Sequence, residues 1–178
     1  MIRVIMGKKG SGKTKQMIDM INSAVQTEHG NVVCIERGSK MTFDIHYQIR
    51  LVESSQYDID SYTTLKGFVS GLYAGNYDIT HIFIDSLTKI VGSDCNHETE
   101  KFLDWLNNFS EKHNIKFTIT ISDDESLATE GIKKYFRFEL TARCSESCTA
   151  FLYVPSPVNW TWDEYLFDKN SEKLLTRE

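Results

Sequence analysis

The stretch MIRVIMGKKGSGKTKQMIDMINSA, residues 1–24, decides the fold. Positions 7–14 fit the pattern G-x-x-x-x-G-K-[ST], and Gly10 adds a further glycine inside it. This spacing is typical of a loop whose backbone N–H groups turn inward around a phosphate, because side chains at the glycine positions would block the approach. The alternative is a chance match on a flexible glycine loop.

The residues on either side of this loop supply the context that a phosphate loop requires. A short β-prone run precedes it, and the apolar residues after it recur at the spacing of one helical face: Met17, Ile18, Ile21, Ala24 and Val25. A helix that starts at the loop adds its positively polarised N-terminus to the anion site. Strand, loop and helix together therefore favour the phosphate loop over the chance match.

Two side chains of the loop have predicted roles of their own. The ammonium of Lys13 can reach the outer phosphates, and the hydroxyl of Thr14 can take one place around a Mg²⁺ ion. The sequence thus predicts a nucleotide such as ATP or ADP as the ligand, with Mg²⁺ beside it. The predicted binding residues are Gly7, Lys8, Lys9, Gly10, Ser11, Gly12, Lys13, Thr14 and Lys15.

Size and composition bound the class of protein. The 178 residues predict one domain with a real core, and the formal net charge of -5 argues against a nucleic acid partner or an anionic membrane surface. No stretch approaches the ~18 apolar residues of a membrane span. The four cysteines lack metal-site spacing and predict free thiols in a reducing cytoplasm, with a disulfide between Cys144 and Cys148 as the alternative.

The rest of the chain alternates strand and helix patterns. Strands are predicted at 31–36, at the end of 45–52, at 79–85 and at 115–122, and helices at 61–75 and 98–113. This alternation is typical of an α/β fold, a three-layer αβα sandwich with a mostly parallel sheet. Residues 1–139 are predicted to form the nucleotide-binding domain.

Residues 140–178 have a different character. Both prolines and two of the three tryptophans fall here, and the first helical stripe is at 162–169. We interpret 149–154 as an edge strand and the remainder as a tail packed on the same domain. Partial disorder is the alternative, against which the aromatic content argues.

Two carboxylates end buried strands of the predicted sheet. Asp85 follows Ile82, Phe83 and Ile84, where a side chain points into the ligand crevice of an open α/β sheet, so it is predicted to hold Mg²⁺ opposite Thr14. The alternative is an ordinary aspartate in a strand-to-helix turn.

The residue after Asp85 is a serine, so no acidic pair places a water-activating glutamate beside the metal residue. Glu36, at the end of the second strand, is the leading candidate for the general base. Its alternative is a surface carboxylate that pairs with Arg37.

The remaining polar candidates are weaker. Ser122 follows the last core strand and could hydrogen-bond a terminal phosphate, whereas Thr118 and Thr120 are predicted to pack within that strand. Charge-stabilising arginines could come from three positions that the sequence does not rank: Arg37, Arg50 and Arg143.

The combination of GKKGSGKT at 7–14, IFID at 82–85 and Glu36 resembles the RecA-like branch of the P-loop NTPase superfamily. In that branch an acidic residue at the corresponding strand end often activates water, and a neighbouring subunit often completes the site. The resemblance therefore implies ATP and Mg²⁺ as cofactors, Lys13, Glu36 and Asp85 as catalytic residues, and a possible homo-oligomer.

A wider similarity covers about residues 1–136. The segment GFVSGL at 67–72, followed by YDITHIFIDSLTKI at 77–90, resembles small bacterial ATP-binding proteins, some of them labelled twitching-motility ATPases. This chain lacks the acidic and histidine boxes of those larger motors. The guanine-reading pattern N-K-x-D is also absent, which agrees with ATP rather than GTP.

Three functions are compatible with these observations. The first is an ATP-binding protein with slow Mg²⁺-dependent hydrolysis, and the second is a nucleotide-gated module that binds a protein partner without significant hydrolysis. The third is a small-molecule kinase, which needs an arginine-rich lid over the transferred phosphate. No arginine cluster of that kind stands out in the sequence.

Overall fold

The computed structural model describes residues 1–136 and three strands further along the chain, Ala150–Pro155, Trp162–Asp168 and Lys173–Thr176. The chain divides into two compact units, Met1–Arg137 and Phe138–Glu178. The predicted packing of residues 140–178 on the first unit stays a prediction.

The first unit is built on a five-stranded parallel sheet. Its strands are β1 (Ile2–Met6), β2 (Asn31–Glu36), β3 (Arg50–Glu53), β4 (Ile79–Ile84) and β5 (Lys116–Ile121), in the spatial order β1-β5-β4-β2-β3. Its helices are α1 (Lys13–Thr27), α2 (Tyr62–Gly75), α3 (Leu87–Val91), α4 (His97–His113) and α5 (Glu130–Lys133). All four neighbouring pairs in this sheet are parallel.

The two faces of the sheet are covered by different helices. Side chains alternate along a strand, so Val33 and Ile35 of β2 pack with α2, α3 and α4, whereas Val32 and Cys34 pack with α1. Burial on both faces explains why the central strands are continuous apolar runs. The predicted three-layer α/β sandwich is confirmed.

The helix boundaries follow from local capping. Ser61 precedes α2 and forms a reciprocal capping box with Thr64, and Asn96 caps α4 in the same way with Thr99. The short strand predicted at the end of 45–52 corresponds to β3, and the residues before it form turns in which the amides of Asp44 and Ile45 donate to the carbonyl of Met41.

The second unit contains a three-stranded antiparallel sheet of β6 (Ala150–Pro155), β7 (Trp162–Asp168) and β8 (Lys173–Thr176), with β7 in the middle. The predicted strand at 149–154 corresponds to β6. The helix suggested by the apolar spacing at 162–169 is wrong, because that segment is strand β7. Its aromatic residues favour a strand, and its pairing with β6 and β8 outweighs a spacing of apolar residues that fits either a helix or a strand.

Two further predictions concern membrane-spanning helices and the cysteine thiols. Within the described residues no helix combines the length and apolar character that crossing a bilayer requires. Cys34 and Cys95 are free thiols, whereas Cys144 and Cys148, with their possible disulfide, lie outside the described residues.

Candidate functional site

The loop between β1 and α1 has the backbone shape that its glycines allow. Gly10 and Gly12 adopt φ values of +88° and +83°, which strain any residue with a side chain. Gly7 is required for a different reason, because a Cβ there would lie 2.9 Å from the Ser11 Oγ. Glycine at these positions therefore lets the chain fold back on itself immediately before α1.

The backbone amides of this loop are the first feature that fits a phosphate. Ser11 N–H donates to the Lys8 carbonyl over 3.2 Å, and Gln16 N–H donates to the Gly12 carbonyl over 3.0 Å. Across residues 1–136 no acceptor is found for the amides at positions 12–15. These are the orphan donors of a helix N-terminus, and an anion is the ligand they favour.

Lys13 lies against the loop that it follows. Its side chain is buried, with 8% of the residue exposed, and its Nζ donates to the carbonyls of Gly7 at 2.6 Å and Lys8 at 2.8 Å. Burial and the nearby charge of Lys89 lower the pKa of Lys13, against the opposing charges of Asp85 and Glu125. A bound anion would relieve both effects, so the ammonium fits a phosphate partner.

Asp85 lies immediately beyond β4, and its backbone N–H donates to the Ile35 carbonyl over 2.9 Å. Its Oδ1 accepts a hydrogen bond from the Thr120 hydroxyl at 2.8 Å and lies 3.4 Å from the Thr14 hydroxyl oxygen. The structure thus brings together the two side chains predicted to hold Mg²⁺. A carboxylate and a hydroxyl are the hard oxygen donors that this ion prefers, so the residues present fit the metal.

Glu36 ends β2, the strand next to β4, and only 3% of it is exposed. Its Oε1 accepts the Met41 N–H at 3.2 Å. Burial raises the pKa of Glu36, the amides of Met41 and Lys40 oppose the shift, and the charge of Asp85 adds to it. A raised pKa moves a carboxylate towards the range useful for a general base.

The alternative for Glu36, a surface carboxylate paired with Arg37, was wrong. Glu36 is buried, and the Arg37 guanidinium donates instead to the backbone carbonyl of Lys89. Of the other candidate arginines, Arg50 is the first residue of β3, three positions before the residue that pairs with Glu36. Arg143 lies outside the described residues.

Sequence reasoning missed the role of Thr120. It was predicted to pack within its strand, and it is indeed buried, but its hydroxyl also accepts the Ser86 N–H at 2.6 Å while it donates to Asp85. The parallel register pairs Ile84 with Ile119, which places the next residues, Asp85 and Thr120, side by side. Strand order supplies this signal, and a single sequence does not reveal it.

Ser86 was also missed as a contact of Asp85. Its hydroxyl donates to the Asp85 Oδ2 at 3.1 Å, and its backbone adopts the left-handed values φ 54° and ψ 56°. Such a conformation is strained for a residue with a side chain, and strain of this kind is common at functional sites. Ser122, the predicted phosphate sensor, lies half-buried directly after β5.

Comparison with solved structures identifies the fold. The KaiC-like protein PH0186 from Pyrococcus horikoshii OT3 matches with a TM-score of 0.56 and 12% sequence identity, over 99% of this chain and 89% of that protein. The flagellar accessory protein FlaH from Methanocaldococcus jannaschii matches with a TM-score of 0.49 and 10% identity, over 98% and 77%.

Comparisons by sequence give no match, either to a model of a protein family or to a curated protein. At 12% identity, the likeness to the Pyrococcus protein bears on the fold alone. Together with the parallel five-stranded sheet and the loop before α1, it identifies a RecA-like P-loop fold.

Proposed function

We propose that this chain binds ATP together with Mg²⁺ and hydrolyses it slowly. The observation that carries the proposal is the 3.4 Å approach of the Thr14 hydroxyl to the Asp85 carboxylate, beside the orphan amides at the start of α1. These two side chains are 71 positions apart in the sequence. Their convergence on a helix N-terminus, next to a buried lysine, is the arrangement that a metal-bound polyphosphate requires.

Each residue has a role that follows from its position. The amides of the loop would hold the phosphate oxygens, and Lys13 would exchange its bonds to the loop carbonyls for bonds to the outer phosphates. Thr14 and Asp85 would hold Mg²⁺, which supplies charge neutralisation to the phosphates when bound. Thr120 and Ser86 would orient the Asp85 carboxylate through their hydroxyl groups.

Glu36 is the proposed general base. It lies at the same edge of the sheet as Asp85, its neighbourhood raises its pKa, and its Oε1 is held by a backbone amide. The position next to Asp85 is occupied by a serine, so the base has to come from the adjacent strand. We expect slow turnover, because no second carboxylate follows Asp85 to help align the attacking water.

The test is a calorimetric titration of the full chain with ATP in the presence of Mg²⁺, which measures the affinity for ATP. We expect Lys13→Ala to lower ATP affinity about a hundredfold, because a lost charge-assisted bond to phosphate costs ~3 kcal/mol. Lys112→Ala, which removes an exposed lysine from the last turn of α4, is the matched control and should bind as the wild type does. Absence of ATP binding by the wild-type chain would overturn the proposal.

A second candidate function is a nucleotide-gated module that binds a protein partner without significant hydrolysis. Two aromatic side chains of the segment after Glu36 favour it, since Phe43 is 98% exposed and Tyr47 is 87% exposed. The same segment is tied to Glu36 through the amide of Met41, so a change at the site can reach it. ATP binding without phosphate release from the purified chain would favour this function over hydrolysis. The resemblance to proteins labelled twitching-motility ATPases stays a prediction.

A further inference from the structure

A lysine outside the phosphate loop lies beside the proposed metal residue. Lys89 is the third residue of α3, four positions after Asp85. Its Nζ lies 3.5 Å from the Ser86 hydroxyl oxygen, and that hydroxyl donates to the Asp85 carboxylate at 3.1 Å. Lys89 therefore adds a positive charge at the edge of the sheet where Asp85 and Thr14 meet.

The charge of Lys89 has no carboxylate partner among residues 1–136. Within residues 1–136, five lysines have one within 4 Å, namely Lys8, Lys101, Lys116, Lys133 and Lys134, and the remaining lysines, Lys13 among them, have none. Lys89 instead approaches a neutral hydroxyl, and its charge acts on Lys13 across the site. Two ammonium groups that repel each other at the edge of one site are accommodated best when an anion with several charges binds between them.

The backbone around Lys89 is held in place by its surroundings. Leu87 and Ile90 are buried against the sheet, so α3 cannot rotate without exposing them. The Arg37 guanidinium donates to the backbone carbonyl of Lys89, which ties α3 to the residue after β2. The backbone position is thus fixed, whereas the exposed four-carbon side chain keeps the flexibility to turn towards a ligand.

We propose that Lys89 is a second cation of the nucleotide site and binds an oxygen of the terminal phosphate. This inference rests on the proposed function. The loop amides cradle the inner phosphates, whereas Asp85 faces the metal and the outer ones, so a cation next to Asp85 lies on the outer side. Lys89 would supply, within the same chain, the charge stabilisation for which the sequence offers three unranked arginines. Arg37 is a positioning residue that acts through the backbone of Lys89.

The proposal predicts discrimination between nucleotides. A cation at the terminal phosphate strengthens the binding of ATP and leaves that of ADP nearly unchanged, because ADP lacks this group. Lys13→Ala weakens both nucleotides, because this lysine reaches the β-phosphate, which ADP retains, as well as the γ-phosphate. The difference between the two affinities therefore separates Lys89 from the loop residues.

The experiment measures the affinities of ATP and ADP with Mg²⁺ by calorimetry on the full-length wild type, Lys89→Ala, Lys89→Arg and the control Lys112→Ala. We expect Lys89→Ala to weaken ATP about tenfold and ADP less than twofold, with Lys89→Arg restoring most of the loss. Because Lys89 is exposed, we expect each variant to fold as the wild type does, and thermal unfolding of each protein checks this.

Three results overturn the inference. If the wild type binds ATP and Lys89→Ala binds it equally well, or loses ATP and ADP affinity alike, Lys89 does not meet the terminal phosphate, while the proposed function stands. If the wild type binds neither nucleotide, the proposed function fails and the inference fails with it.

Discussion

The two ends of the parallel sheet both carry partly or fully buried ionisable side chains, but they compensate these charges in different ways. At the end where the strands begin, Glu28 follows α1 and its Oε1 lies 2.8 Å from the Lys116 Nζ and 3.4 Å from the His81 Nδ1. The His81 Nε2 is 3.0 Å from the Thr118 hydroxyl oxygen. Glu28 and Lys116 thus form an ion pair within the chain, whereas burial lowers the pKa of His81 to about 4 and leaves its ring neutral at pH 7.

At the end where the strands finish, the charges are compensated less directly. Lys13 is bonded to neutral carbonyls, Glu36 to a backbone amide, and Asp85 to hydroxyl groups. Among the described residues none of these three side chains has an ion-pair partner within 4 Å. The first arrangement contains its own ion pair, whereas the second leaves its charged groups without opposite charges within 4 Å in the described part of the chain, which is the arrangement that the proposed binding of Mg²⁺ and a phosphate would complete.

The largest expected effect concerns the base at the second end. Glu36→Gln keeps the shape of the side chain and its acceptor for the Met41 amide, but it removes the ability to take a proton from water. We expect ATP affinity to stay within about twofold of the wild type and turnover to fall at least about a hundredfold. Phosphate release at saturating ATP measures this, and equal turnover in the variant would remove Glu36 from the mechanism.

The next effect concerns the metal. Asp85→Asn retains the hydrogen bond from Thr120 and removes a negative charge that Mg²⁺ would face. We expect ATP affinity in the presence of Mg²⁺ to fall about tenfold, because the loss of even an outer-shell partner typically weakens a metal site by about 10- to 100-fold. In EDTA the wild type and the variant should bind ATP alike. A variant that keeps the full Mg²⁺ dependence would contradict the role of Asp85.

The sequence predicts the parts of this site that are local. The glycines of the loop, Lys13 and Thr14 lie within eight positions, and the physical reason for their spacing can be stated without a structure. The strand-end positions of Asp85 and Glu36 are equally accessible, because buried parallel strands are recognisable as apolar runs. The sheet and its helices follow from the same patterns.

The parts that depend on strand order could not be predicted. Thr120 meets Asp85 only because β5 lies between β1 and β4, and a single sequence does not give that order. The proposed role of Lys89 does not depend on strand order, since this residue lies four positions after Asp85, but the sequence predicts only arginines as charge-stabilising cations. In the second unit, the spacing of Trp162, Tyr165 and Leu166 fits a helix as well as a strand, and only partners on both sides decide the outcome.

The stability of the two ends should respond in opposite directions to the same substitution. Burial raises the pKa of Glu36, so the folded protein holds this proton more tightly than the unfolded chain, and ionisation at neutral pH costs stability. Burial also acts on Glu28, but the bond from Lys116, together with the charge of His81 when that ring is protonated, outweighs it and lowers the pKa of Glu28. Its contribution is present at neutral pH and is lost as the pH falls through the carboxyl range.

We therefore expect Glu36→Gln to raise the melting temperature at pH 8 and Glu28→Gln to lower it, each by roughly 2–4 °C for ~1 kcal/mol. Both shifts in melting temperature should be smaller at pH 4.5, because the carboxyl groups of the wild type begin to take up protons near this pH. Thermal unfolding of the three proteins at the two pH values is the measurement. Shifts of the same sign at pH 8 would show that the two ends do not differ in charge compensation.

The smallest expected effect lies at the rim of the phosphate loop, where an exposed ion pair joins the Lys8 Nζ to the Asp124 Oδ2 over 2.9 Å. The bond from Lys8 holds the pKa of Asp124 at about 2, so this carboxylate stays charged beside the loop at any working pH. Asp124→Asn removes that charge and releases Lys8 towards the ligand. We expect ATP affinity to rise about two- to threefold at low salt, and the gain to disappear near 0.5 M salt because exposed charges are screened there. Asp78→Asn, in the turn before β4 at the opposite end of the sheet, is the control and should change nothing; a gain that persists at high salt would mean that Asp124 acts by shape and not by charge.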